Sequence, residues 1–73
     1  MPKSLIGNHI RKLRFNHNEM TQQELASKVG VTRQTIVALE AGKYSPSLEL
    51  AFRIARVFQV PLETVFWFEA SDT

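Results

Sequence analysis

Two helix-start signals stand eleven residues apart in this 73-residue chain, and they constrain its fold more than any other feature. Thr21 and Glu24 have the spacing of a capping box, in which side chain and backbone satisfy each other's hydrogen bonds. Thr32 is a second capping residue. Gly30 lies between the two, where a chain leaving a helix needs a permissive backbone. The pattern predicts two short helices joined by a tight turn.

Apolar residues in this segment recur at the spacing of helices with one buried face. They are Leu25, Ala26 and Val29 in the first helix and Ile36 and Leu39 in the second, with Gly42 as the stop. The second helix opens on the polar run Thr32-Arg33-Gln34-Thr35. This combination predicts a helix-turn-helix over about residues 21–41, a motif whose second helix enters the DNA major groove.

Three further helices are predicted around this motif. The first is expected from about Ser4 to His17, with Ile6 among its inward residues. The fourth follows a Ser47 cap, and the fifth begins at or beside Pro61 and holds Leu62, Val65 and Phe66. Residues 67–70 either end the fifth helix or form a short strand, and no other strand is expected. The predicted fold class is therefore all-α, with five helices.

Composition and charge exclude several classes of protein. The chain has 44% hydrophobic residues and no cysteine, so we expect one ordinary domain without disulfides or thiolate metal sites. The sequence has no apolar run long enough to predict a membrane span and no leader that predicts a signal peptide. We therefore expect a cytoplasmic location. Residues 1–44 hold seven Lys or Arg against three Glu, whereas residues 45–73 hold two against four acidic residues. A basic half suits a polyanion, although a mixed solvated surface is often similar.

From about Ile10 to Phe66 the chain resembles the Cro/CI-type (Xre-family) helix-turn-helix regulators. The matching residues are Leu13-Arg14, Met20-Thr21-Gln22, Glu24-Leu25-Ala26, Val29-Gly30-Val31-Thr32, Ile36, Leu39-Glu40, Gly42-Lys43, Pro46-Ser47-Leu48 and Pro61-Leu62. The runs 44–48 and 61–66 are similar to a compact, free-standing subgroup that includes the cytolysin-operon repressor. The resemblance implies a five-helix, lambda-repressor-like domain over residues 1–73 that dimerises and that a small sheet can extend. The connector before Thr21 is one residue longer than in phage repressors, so no phage role is transferred to Arg14.

The resemblance also implies contacts to double-stranded DNA. Gln22 would bind a phosphate and brace the second helix of the motif. Arg33 can pair with guanine and Gln34 with adenine, while Arg33 could instead clamp a phosphate. Thr32 is mainly a cap whose hydroxyl also reaches a phosphate. Thr35 either donates to a phosphate or only lies near the DNA backbone.

Further candidate contacts follow along the same surface. Val37 and Ala38 offer only methyl groups, which could touch a thymine methyl, and Val37 could instead be partly buried. Lys43, Tyr44 and Ser45 follow the helix where the family grips the DNA backbone, and Tyr44 could alternatively pack on helix four. Solvated surface is the favoured interpretation of the remaining N-terminal cations, which are Arg11, Lys12, Arg14 and Lys28.

Catalytic and metal-binding patterns are missing from the sequence. His9 and His17 do not have the spacing of metal ligands, and no cysteine accompanies them. The sequence also lacks a nucleophile–base constellation and a glycine-rich phosphate loop. We therefore predict no enzyme, no cofactor and no metal. The aromatic residues exceed what one small core requires, which indicates either a few exposed rings or a subunit interface. We place a homodimer interface at Val65, Phe66, Trp67 and Phe68, within a C-terminal end of about 61–70.

The sequence thus predicts a homodimeric transcriptional regulator, acting as a repressor on a palindromic operator. The alternative is an antitoxin or adaptor whose main partner is another protein, bound by the aromatic end. The lack of an extended segment able to wrap a toxin argues against this alternative.

Overall fold

The computed structural model describes residues 5–69, which form five helices and a two-stranded antiparallel ribbon. The elements are β1 (Ile6–Asn8), α1 (Ile10–Asn16), α2 (Gln22–Val29), α3 (Arg33–Glu40), α4 (Leu48–Phe58), α5 (Leu62–Val65) and β2 (Phe66–Phe68). The predicted five-helix fold is confirmed. Of the two alternatives left open for the end of the chain, the structure shows a strand at Phe66–Phe68, and its partner β1 is a second strand that was not expected. Within residues 5–69, no helix is both long and apolar enough to cross a membrane.

Each predicted cap forms as the local sequence requires. The Thr21 hydroxyl accepts from the Glu24 N–H at 3.0 Å, and the Glu24 carboxylate accepts from the Thr21 N–H at 2.8 Å. Thr32 begins α3 and Ser47 begins α4, each accepting a backbone N–H three residues on. Gly30 ends α2 with φ +79°, a left-handed conformation that costs glycine little. These four signals fix the bounds of α2 and the starts of α3 and α4.

The predicted first helix is wrong in its N-terminal part. The helix begins at Ile10, and Ile6 lies in β1, where it pairs with Phe68. The backbone of residues 6–8 bonds to β2 instead of to its own next turn, and the Asn8 side chain accepts the Ile10 N–H at 3.1 Å, which starts α1 there. Ser4 lies outside the described residues. Phe66, expected in the fifth helix, lies in β2 for the same reason.

One face of the ribbon is covered by the Trp67 indole, which lies over Gly7. The two residues are cross-strand partners, and a Cβ at Gly7 would overlap the indole ring. The ring also packs on His9 with centroids 4.5 Å apart, and its Nε1 donates to Glu69 at 2.9 Å. Glycine at this position therefore lets an aromatic side chain cover the backbone of the neighbouring strand.

The core lies between α2, α3 and α4 and is closed by α5 and the ribbon. Its fully buried members are Ile10, Leu25, Val29, Ile36, Leu39, Ile54 and Val65. Ala26 is also fully buried, and its small side chain allows the close approach of α2 to its neighbours. Because Ile36 and Leu39 anchor one side of α3, the opposite side of that helix faces outward.

The end of α4 supports a prediction about stability. The Val60 N–H bonds to Ala55 O and the Gln59 N–H to Arg56 O, a Schellman motif that places Gln59 at φ +57°. Because a left-handed non-glycine residue is strained, Gln59→Gly should raise the free energy of unfolding by roughly 0.5–1 kcal/mol. Urea denaturation measures this. The control Gln23→Gly, in the first turn of α2, should lower it by up to about 1 kcal/mol. A loss of stability in both variants would contradict the prediction.

Candidate nucleic-acid interface

The first turn of α3 presents two exposed side chains, Arg33 and Gln34. Among residues 5–69, neither forms a hydrogen bond or ion pair with another side chain. On the opposite side of the helix, Ile36 and Leu39 are 0% and 1% exposed and hold α3 against the core. A guanidinium and a carboxamide are therefore presented together on a rigid helix, free to pair with groups outside the protein.

The hydroxyl groups that flank this pair are engaged within the chain. The Thr32 Oγ1 accepts the Thr35 N–H at 3.3 Å and lies 3.1 Å from the Thr35 hydroxyl. The cap predicted at Thr32 is confirmed. A phosphate contact from either threonine stays a prediction, since each hydroxyl keeps further hydrogen-bonding capacity.

The next turn of α3 offers little beyond methyl groups. Val37 and Ala38 are both half-buried, so only part of each side chain is open to a ligand. Their contact with a thymine methyl stays a prediction.

Gln22 is tied to the last turn of α3. Its Nε2 donates to Glu40 Oε1 at 3.1 Å, which joins the start of α2 to the end of α3. The same carboxylate accepts from Arg14, through Nε at 2.6 Å and Nη2 at 3.0 Å, while Nη1 donates to Met20 O at 2.7 Å. The bracing expected of Gln22 thus has a physical partner in Glu40.

The structure corrects the predicted position of Arg14. Its side chain is 14% exposed and pairs with Glu40, which is 10% exposed, whereas the sequence placed Arg14 on the solvated face. A carboxylate in the last turn of a helix opposes the helix dipole, so Glu40 needs a nearby cation. That unfavourable placement was the sign in the sequence that Glu40 pairs with a cation, but the sequence did not show which cation that is.

The loop after α3 leaves that helix through a second Schellman motif. The Lys43 N–H bonds to Ala38 O at 3.0 Å and the Gly42 N–H to Leu39 O at 3.0 Å, with Gly42 at φ +75°. The motif fixes the direction of the chain, so Lys43 and Tyr44 are exposed directly beyond α3, followed by Ser45. Tyr44 is 44% exposed, which leaves both of its predicted roles open.

The predicted dimer residues separate into two pairs. Val65 is 0% exposed, because α5 and the start of β2 close the core, so its side chain is not available to a partner in this protomer. Phe66 is 8% exposed and reaches the surface only where it lines a groove beside α4, and its interface role stays a prediction. Trp67 and Phe68 are 37% and 62% exposed, and their interface role stays a prediction.

A capped helix, a glycine turn and a second helix with free polar side chains in its first turn define a helix-turn-helix DNA-binding domain. The family model described as helix-turn-helix matches residues 10–65, and the chain belongs to this family, in its Cro/CI-type (Xre) form. The family is one of DNA-binding transcriptional regulators. The resemblance stated from the sequence is thereby confirmed.

Two curated relatives match this chain along their whole length. The chain is 53% identical, over 92% of its length and all of the relative's, to an uncharacterized helix-turn-helix-type transcriptional regulator of Methanocaldococcus jannaschii. It is 45% identical, over the same shares, to the regulator YgzD of Bacillus subtilis, also uncharacterized. The cryptic phage CTXphi transcriptional repressor RstR of Vibrio cholerae is 34% identical over 80% of this chain and 51% of RstR.

A solved structure supports the fold alone. It is a candidate DNA-binding protein from Bacteroides fragilis, 22% identical, with a TM-score of 0.73 over 85% of this chain and 98% of that one.

Proposed function

We propose that this protein is a cytoplasmic transcriptional repressor that binds a palindromic operator as a homodimer, with α3 in the major groove. The observation that carries the proposal is the pair of exposed side chains at the start of α3, Arg33 and Gln34, which have no side-chain partner among residues 5–69. A repressor role is supported by the similarity to RstR, which is named as a transcriptional repressor.

Each predicted contact has a distinct task in this proposal. Arg33 and Gln34 read base edges, because guanidinium and carboxamide groups match guanine and adenine. Gln22, Thr32 and Thr35 contact phosphates at the start of the two helices. Val37 and Ala38 add at most methyl contacts. Lys43, Tyr44 and Ser45 contact the DNA backbone beyond α3. Phosphate contacts therefore supply most of the binding energy but little of the sequence specificity.

A dimer follows from the small number of base contacts. Two side chains cannot define a unique site, whereas two copies of α3 about 34 Å apart would read successive major grooves on one face of the duplex. A two-fold-symmetric protein then requires a palindromic operator.

The apolar surface best suited to a second copy is centred on a groove between α4 and the ribbon. Its lining is Ile6, Pro46, Leu48, Ala51, Leu62 and Phe66. Leu48 is 68% exposed, and Phe52, one helical turn along the same side of α4, is 54% exposed. Phe68 pairs with Ile6 and so lies on the same ribbon face. We call Leu48, Phe52 and Phe68 with this groove the apolar face.

A second copy of this chain is the occupant that the proposal commits to. An isologous interface needs only one self-complementary patch. A 73-residue chain has a small core, so burying large exposed side chains between two copies would add to its stability. Trp67 lies on the other face of the ribbon and would contribute at the rim. Phe68 therefore becomes the principal residue of the originally predicted end.

The direct test of the proposed function combines selection and sedimentation. Selection from random duplexes should yield a palindrome with half-sites about one helical turn apart, and a footprint upstream of the chain's own gene should contain it. Sedimentation equilibrium at low micromolar concentration should give a dimer. A monomer near 8.3 kDa that binds as single copies would contradict the dimer, and the absence of any selected sequence would contradict specific binding.

Arg33→Ala tests base reading. Binding to the operator should weaken by roughly 1–3 kcal/mol, and the preference at one base position per half-site should disappear. The control is Lys43→Ala, which should weaken binding to all sequences about equally and reduce the salt dependence by roughly one unit of log–log slope per site. Selection with both variants distinguishes them. An unchanged base preference in Arg33→Ala would make Arg33 a phosphate contact.

A further inference from the structure

The side chain of Asn8 connects the ribbon to the end of α3. Its Oδ1 accepts the Ile10 N–H at 3.1 Å, and its Nδ2 donates to the Leu39 carbonyl at 2.9 Å, across 31 positions of sequence. Asn8 itself is held in the ribbon opposite Phe66 and is partly buried. One amide therefore does two separate things: its oxygen accepts the first N–H of α1, and its nitrogen anchors the end of α3.

The Leu39 carbonyl is also part of the motif that directs the chain out of α3. It accepts the Gly42 N–H at 3.0 Å while the Lys43 N–H bonds to Ala38 O. A carbonyl oxygen has two lone pairs, so it can serve Asn8 and Gly42 together. The bond from Asn8 thus holds the Leu39 carbonyl, one of the two acceptors in the motif that directs the chain toward Lys43.

We infer that Asn8 is a positioning residue for DNA binding, which holds the end of α3 and the following loop so that Lys43 meets the DNA backbone. This inference rests on the proposed function. The Asn8 side chain is part-buried, its amide is bonded within the protein, and we assign it no contact with DNA. It acts by reducing the freedom of the segment that makes the contact, so that less conformational entropy is lost on binding.

Asn8→Ser separates the two roles of the amide. A serine hydroxyl can still accept the N–H two residues on, as in an ST turn, so the start of α1 is kept. It is too short to reach Leu39. Asn8→Asp is the second variant, since its carboxylate still accepts the Ile10 N–H but cannot donate to Leu39. Val57→Ala, which trims a half-buried side chain of α4, is the control for a simple loss of thermal stability.

A double-mutant cycle on operator binding tests the inference. Asn8→Ser should weaken binding about fivefold in the wild-type background and by less than about twofold in Lys43→Ala, because the two residues act through one contact. It should also lower the salt slope toward that of Lys43→Ala. Val57→Ala should leave the salt slope unchanged. Equal weakening by Asn8→Ser in both backgrounds would overturn the inference.

Amide hydrogen exchange in the free protein tests the same inference without DNA. In Asn8→Ser and Asn8→Asp the Gly42 and Lys43 amides should exchange several times faster. The Leu39 carbonyl that accepts from Gly42 is no longer held, and the neighbouring bond from Lys43 to Ala38 O belongs to the same motif and opens with it. The Gly30 and Val31 amides, which bond to Ala26 O at the end of α2, are the internal control and should be unaffected. Unchanged exchange at Gly42 and Lys43 would overturn the inference. Failure of the wild type to select a DNA sequence would instead count against the proposed function.

Discussion

Glu40→Ala is expected to lower the free energy of unfolding by roughly 2–4 kcal/mol. The substitution leaves the Arg14 guanidinium nearly enclosed and without its carboxylate, and removal of one partner of a buried pair is strongly destabilising. Gln22 loses its acceptor at the same time. A domain of this size has a total stability of about 4–11 kcal/mol, so a large share of it depends on one side chain. Chemical denaturation followed by circular dichroism measures the change.

The chain contains a matched control in Glu49. Its carboxylate accepts from Arg53 at 2.7 Å, a length similar to the Arg14–Glu40 bond, but the two side chains are 74% and 54% exposed. Glu49→Ala should therefore change stability by less than about 1 kcal/mol, since solvent already screens the pair. Equal losses in the two variants would show that burial is not what makes Glu40 important.

Replacing Leu48 and Phe52 together with glutamine should make the protein monomeric at low micromolar concentration. An isologous dimer loses both side chains twice, and at about 1 kcal/mol each this weakens association about a thousandfold. Operator binding should fall by roughly a hundredfold or more, since the two half-sites are no longer engaged as one unit. Both residues are exposed in the protomer, so the fold should remain.

The control for this pair is Phe15→Gln. Phe15 lies on α1, is 66% exposed and does not line the groove of the apolar face. The substitution therefore removes an exposed ring without changing the proposed contact. Sedimentation equilibrium should give a dimer for this control. A dimeric Leu48→Gln, Phe52→Gln variant would place the interface elsewhere, and a monomeric control would mean that α1 takes part in it.

Where one residue fixes the backbone within a few positions of itself, the sequence was sufficient to predict the structure. Thr21, Thr32 and Ser47 cap helices, and Gly30 ends one, because a cap or a left-handed glycine acts on its own turn. The exposed start of α3 followed as well, since the buried spacing of its apolar residues leaves the polar run on the other side.

Long-range pairing defeated the same reasoning in the ribbon. Ile6, Ile10 and Leu13 recur at helical spacing, and Ile6 does pack against the core, but its backbone bonds to a strand near the other end of the chain. Gly7 and Asn8 both have low helix propensity and were the local sign that the helix starts later. Arg14 was misplaced for a related reason, because its partner is 26 positions away.

The ribbon pairs two segments about sixty positions apart, whereas most other contacts in this protein join residues that are close in sequence. Bringing such distant segments together costs conformational entropy, and only a few backbone hydrogen bonds offset that cost. We expect such an element to form late in folding and to open at a lower free energy than the helical bundle. The chain's single tryptophan lies on it. Intrinsic fluorescence will therefore report the fraying of the two strands, while the far-ultraviolet signal reports the melting of the helices. The difference between the two transition midpoints would measure how independently the ribbon opens from the helical bundle.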